Sequence, residues 1–127
     1  MGTEPGVLSG LHLLVVEDDD NGREILSDLF AYFGANVTVA NSARDGLRKL
    51  KQVNPDVVVA DVRLGDHNAP WLLREARTIP CAAPFVAVTA YNFDERVLRA
   101  QGFAGFLRKP LDRDSLLGAV VQAVRPR

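Results

Sequence analysis

A chain of 127 residues, 47% hydrophobic and 24% charged with a formal net charge of −1, is one domain whose core needs neither disulfides nor a structural metal. That near-neutral balance excludes nucleic-acid binding as the main business, since phosphate neutralisation needs clustered Lys and Arg. A single cysteine, Cys81, excludes a disulfide framework and suits a reducing cytoplasm, and no apolar run approaches the roughly 18–20 residues of a membrane span.

Residues 1–10 lack the charged-then-apolar pattern of a signal peptide and read as a linker or tail, with the domain occupying residues 11–127. Residues 11–16 predict a first strand that ends in an acidic burst, Glu17-Asp18-Asp19-Asp20. After Asn21-Gly22, the residues Ile25, Leu26, Leu29, Phe30 and Phe33 recur at helical spacing. They form the apolar stripe of an amphipathic helix that Gly34 stops. Residues 37–40 are a second strand. Ser42 caps a second helix running to about Val53, where Asn54-Pro55 ends it. Residues 56–61 follow as a continuous small and β-branched run closed by Asp61. A run of this kind, bounded by turn residues, is a strand buried on both faces of a parallel sheet.

Residues 63–68 are a loop, and Asn68-Ala69-Pro70 supplies the N-cap and early proline of a short third helix through Arg77. Residues 84–89 form a fourth strand ending in the Thr89 hydroxyl. A fourth helix spans about Asp94 to Gln101, residues 104–107 are a short fifth strand leading into Arg108-Lys109-Pro110, and Asp112 caps a last helix through Val124. Five strands alternating with five helices give an α/β fold, a flavodoxin-like doubly wound five-stranded parallel sheet of order 2-1-3-4-5. That order puts the first and third strands together at the switch point, where ligands bind beyond the carboxyl ends of the strands.

One edge of the sheet then gathers Glu17, Asp18, Asp61, Thr89 and Lys109. Clustered carboxylates repel, by about 4 kcal/mol for two unit charges about 4 Å apart at an effective dielectric of about 20. Such a site either raises a carboxylate pKa or holds a cation. A hard divalent ion with oxygen ligands fits, and Mg²⁺ is the usual choice where phosphate is handled. Thr89 and Lys109 are then donors for phosphoryl oxygens. These are the parts needed to accept a phosphoryl group onto Asp61. An EF-hand reading of Glu17, Asp19, Asn21 and Gly22 fails, because the first ligand is Glu, the twelfth position is Asp28, and a strand precedes it. His12, His67 and Cys81 have no ligand-like or catalytic company.

Val15-Val16-Glu17-Asp18, the strand-ending Asp61, Val86-Ala87-Val88-Thr89-Ala90 and Lys109-Pro110 together resemble the receiver domain of two-component response regulators, over nearly the whole chain. The resemblance implies that Asp61 is the phosphoacceptor. It implies that Glu17 and Asp18 are the acidic pair for Mg²⁺ and that the backbone carbonyl of Arg63 is a further ligand. Thr89 is implied as the hydroxyl that follows the phosphoryl group, Lys109 as the family's lysine before a cis proline, and Phe106 as the aromatic switch residue. The implied partner is a histidine kinase or histidine phosphotransfer domain. The implied output is the face of the fourth helix, fifth strand and fifth helix, which is also the face for a weak homodimer. The lead-in Leu8-Ser9-Gly10-Leu11 resembles the junction before the receiver of a hybrid histidine kinase; a stand-alone regulator and an excised domain both fit.

The sequence departs from the family after Asp61. Family members commonly continue with Met-Pro or Leu-Pro and then Asp-Gly, whereas here Gly65 stands in the proline's place and no Asp-Gly follows. Gly65 is expected to loosen the loop, and Arg63 to lie over the mouth of the site. The alternative is a degenerate receiver used as an unphosphorylated protein-binding adaptor.

Overall fold

In the computed structural model, which describes residues 4–125, strands and helices alternate throughout. They are β1 (His12–Val16), α1 (Asp20–Tyr32), β2 (Asn36–Ala40), α2 (Ala43–Leu50), β3 (Val57–Asp61), α3 (Ala69–Ala76), β4 (Phe85–Thr89), α4 (Glu95–Ala100), β5 (Gly105–Arg108) and α5 (Arg113–Val124). The five strands are parallel and ordered β2-β1-β3-β4-β5, the order expected from the alternation. The first three residues of the lead-in and the final Pro126-Arg127 lie outside the described residues.

The strand sequences explain the layering. Every residue of β3 and β4 is buried, because both lie inside the sheet with helices above and below. Successive side chains of a strand point to opposite faces. Leu13, Val15, Val57 and Val59 therefore pack with α1 and α5, while Leu14, Val16, Val58 and Ala60 pack with α2, α3 and α4. Each helix starts at a side chain that accepts from its first turn: Asp19, Ser42, Asn68, Asp94 and Asp112.

Three differences from the sequence reading have local causes. Helix α1 begins at Asp20, not after Gly22, because Asp19 Oδ2 accepts from the Gly22 N–H at 2.7 Å and draws Asn21-Gly22 into the first turn. Ile25 is 67% exposed; the helix turns Leu26 and Phe30 to the sheet and leaves Ile25 outside the stripe. Helix α2 ends at Leu50 with Lys51 as C-cap, because the residue before Pro55 favours extended backbone and the chain unwinds ahead of it.

The stretch expected to be a linker is partly built into the domain. Leu8 is fully buried in the core on the α1 and α5 face, and its N–H donates to the Phe33 carbonyl at 2.9 Å. Gly34 permits this approach: at φ +104°, a Cβ there would stand 2.7 Å from Ser9 Oγ. Replacing Leu8 with Ala removes a buried side chain at the base of the sheet and is expected to cost about 2–4 kcal/mol in urea unfolding. A loss below about 0.5 kcal/mol, the range of ordinary surface changes, would show that the lead-in is a loose linker.

Candidate functional site

Parallel register brings the carboxyl ends of four strands level. Val16 pairs with Ala60, Asp61 with Val88, and Thr89 with Arg108. Glu17, Asp61, Thr89 and Lys109 thus arrive on one edge, as the topology demands. One oxygen each of Glu17, Asp18 and Asp61 lies within 4.8 Å of the others. Glu17 is 1% exposed and Asp61 9%, while Asp18 is exposed at the rim.

Lys109 binds this cluster together. Its Nζ donates to Glu17 Oε1 at 2.9 Å and to Asp61 Oδ2 at 2.9 Å. The other oxygen of Asp61 accepts from the Arg63 N–H at 3.2 Å, and Glu17 Oε2 accepts from the Asp19 N–H at 3.3 Å. The lysine is itself fixed by the sheet, since its backbone N–H donates to the Thr89 carbonyl at 2.7 Å, and the Lys109-Pro110 bond that follows is cis. Burial alone would lower the Lys109 ammonium, but hydrogen bonds to Asp61 and Glu17 raise it above its usual range. Glu17 is pushed up from the ordinary carboxylate value, first by burial and then by the charge of Asp61, against the opposing pull of Lys109 and the Asp19 N–H.

Thr89 is 2% exposed, and its Oγ1 accepts from the Tyr91 N–H at 3.1 Å, leaving the hydroxyl proton free to be donated. The Tyr91 ring lies under the Arg63 guanidinium, 4.0 Å from it. Arg63 thus reaches from the β3–α3 loop across to the β4–α4 loop. Phe106 is half-buried, edge-on to Phe93 at 5.7 Å, with the Arg99 guanidinium 5.0 Å from its ring.

The β3–α3 loop is not slack. Leu64 is 2% exposed, Arg63 and Asn68 form an antiparallel bridge, and the Ala69 N–H donates to the Val62 carbonyl at 2.9 Å. Gly65 adopts φ +84°, so the glycine supplies a left-handed turn within a braced loop. Beside it a bowl of about 710 Å³ is lined by Asp18, Arg63, Asp66, Trp71 and Arg74 among others, with His67 stacked on Trp71 at 3.9 Å. Sequence reasoning missed Tyr91 and Asp66. Tyr91 carried a weak signal, an aromatic two residues past Thr89. His12 Nε2 meets Thr38 Oγ1 at 2.7 Å and Cys81 is buried; both lie outside the cluster.

The response regulator receiver domain matches residues 13–121, and the chain belongs to that family, whose members are signalling phosphoacceptors. It is 34% identical over 116 residues to the transcriptional regulatory protein ZraR of Escherichia coli K12, a match that takes in 90% of this chain and 26% of that protein. The chain thus spans about a quarter of the length of that relative. It is 33% identical to a 14.6 kDa uncharacterized protein of Leptolyngbya boryana, covering 91% of each. A receiver domain of Methylobacillus flagellatus superposes with a TM-score of 0.80 at 25% identity, covering 91% of this chain and 98% of that one. With carboxylates, hydroxyl and lysine all present, the degenerate-adaptor alternative is not favoured. No helix among the described residues is long and apolar enough to cross a membrane.

The raised Glu17 carboxyl gives a stability prediction for the metal-free domain. A carboxylate whose folded value lies above its unfolded one contributes stability at pH below its ordinary value, 4.5, and loses that contribution as pH rises through the folded value. Near neutral pH the ionised Glu17 therefore weakens the fold. Glu17→Gln is expected to stabilise the metal-free protein at pH 7 in urea unfolding, with a smaller gain at pH 4. A destabilised variant at pH 7 would mean that the Lys109 ion pair outweighs burial.

Proposed function

We propose that this receiver accepts a phosphoryl group from a phosphohistidine onto Asp61 in a Mg²⁺-dependent step and switches a partner-binding surface in response. The observation that carries this reading is the pairing of three clustered carboxylates with one lysine that bonds to both Glu17 and Asp61. The receiver unit begins ahead of residue 11, with Leu8 sealing its base.

The donor set suits a hard cation: carboxylate oxygens of Glu17, Asp18 and Asp61, joined by the backbone carbonyl of Arg63, would hold Mg²⁺. When bound, the ion supplies positive charge against the phosphoryl oxygens. An Asp61 carboxylate oxygen attacks phosphorus in line; the O–P bond forms as the P–N bond breaks, and the electron pair leaves with the histidine nitrogen. Glu17 is closed to a donor by burial, whereas Asp61 keeps a narrow opening. Lys109 moves its hydrogen bonds toward the incoming oxygens and stabilises their charge.

The Thr89 hydroxyl, still accepting from Tyr91, donates its proton to a phosphoryl oxygen. Its movement opens space for Phe106 to turn from Phe93 and Arg99. Shifting the face of α4, β5 and α5 from almost all off to almost all on takes roughly 5 kcal/mol of differential stabilisation, and a charge-assisted hydrogen bond contributes about 1.5–3 kcal/mol of it. The phosphodonor is a histidine kinase or histidine phosphotransfer domain. Exposed Ile25 and half-buried Leu29 line an apolar groove of about 310 Å³ that also includes Glu17 and Lys109, which supports approach of that protein along α1.

Two measurements test the chemistry. Asp61→Asn is expected to abolish uptake of radiolabelled phosphate from a small phosphodonor with Mg²⁺; retained uptake would sink the assignment. Arg63→Asn removes the contact with Tyr91, worth about 0.5–1 kcal/mol, and opens the mouth to water. Phosphoryl loss is then expected to quicken by roughly two- to fivefold; an unchanged decay would count against a gating role.

A further inference from the structure

The loop between β3 and α3 carries Arg63 and reaches the acidic cluster at its tip, where a Cβ on Gly65 would lie 3.5 Å from Asp18 Oδ2. Its Arg63 N–H holds Asp61. The loop therefore bonds to one of the three carboxylates and passes beside a second. Next to Gly65 stands Asp66, whose carboxylate crosses to the first turn of α2. Its Oδ1 accepts from the Ala43 N–H at 3.0 Å and its Oδ2 from the Arg44 N–H at 3.0 Å.

Those are backbone donors that a helix leaves without intrahelical partners. The helix already has its local cap, because Ser42 Oγ accepts from the Asp45 N–H at 3.0 Å. Asp66 is a second cap delivered from a distant segment, and its effect is to join two parts of the chain. The positive end of the α2 dipole favours a carboxylate there. Burial pushes the Asp66 carboxyl up, but the N–H groups of Arg44, Ala43 and His67 hold it below its usual range.

We propose that Asp66 is a positioning residue for the cation site, clamping the β3–α3 loop to the first turn of α2 so that the Arg63 backbone stays in binding register with Asp61. This rests on the proposed reading that Glu17, Asp18 and Asp61 hold Mg²⁺. Groups that orient metal ligands from behind typically change metal affinity by about 10–100-fold when removed. A clamp one loop away from the ligands belongs at the lower end of that range.

The test is calorimetric titration with Mg²⁺ alone on four proteins: the unaltered chain, Asp66→Ala, Asp66→Asn and Ser42→Ala. Removing the Asp66 clamp is expected to weaken Mg²⁺ binding about tenfold, with Asp66→Asn in between because one amide oxygen still accepts a single N–H. Ser42→Ala strips the same helix of its local cap without touching the loop, and is expected to keep the affinity within about twofold. Unchanged affinity in both Asp66 variants, or an equal loss in Ser42→Ala, would overturn the proposal. If Asp66→Ala does not fold, the comparison of Asp66→Asn with Ser42→Ala decides it. Absence of Mg²⁺ binding by the unaltered chain would overturn the reading of the acidic site instead.

Discussion

Lys109 makes the site possible. Three carboxylates gathered within 4.8 Å repel one another by several kcal/mol, on the order of 4 per close pair, and one of them is almost fully buried. The lysine ammonium, 2.9 Å from both Glu17 and Asp61, offsets enough of that repulsion for the fold to hold them. Three carboxylates and one ammonium leave two negative charges, the complement of a divalent cation. The ammonium is in turn placed by pairing between β4 and β5, which ties the Lys109 backbone to Thr89. Sheet order thus joins residues from opposite ends of the chain into a single charge balance, and strain in that balance stays in the metal-free protein as the raised Glu17 carboxyl.

The framework was legible because its signals are local. Apolar runs buried on both faces read as parallel strands, capping residues read as helix starts, and handedness leaves few ways to wind them. Once the order 2-1-3-4-5 is inferred, the position of each chemical residue at a strand end follows without knowledge of any side chain. Asp61, Glu17, Thr89 and Lys109 were found for that reason. Ile25 was misplaced because a helical stripe does not state how far the helix rolls on its sheet; Leu26 and Phe30 won the buried side. Leu8 was passed over because a short apolar residue among Gly and Ser carries no periodicity.

The least legible part is the loop after Asp61. Glycine in place of proline suggested slackness, yet the loop is held by the burial of Leu64, by the Arg63–Asn68 bridge, and by Asp66 on α2. Every one of these is a contact between segments distant in sequence or dependent on a three-dimensional turn, and no spacing rule exposes them. The same holds for Tyr91. It joins Thr89 on one side and Arg63 on the other, so the loops flanking Asp61 are linked through one aromatic side chain.

The central claim is that Asp61 forms an acyl phosphate. Trapping the protein with borohydride after exposure to a small phosphodonor and Mg²⁺ converts an aspartyl phosphate to homoserine, which peptide mass spectrometry locates. Reduction confined to position 61, absent without Mg²⁺, is the expected result. Homoserine at position 18 or 56, or none under conditions where the donor is consumed, would contradict it.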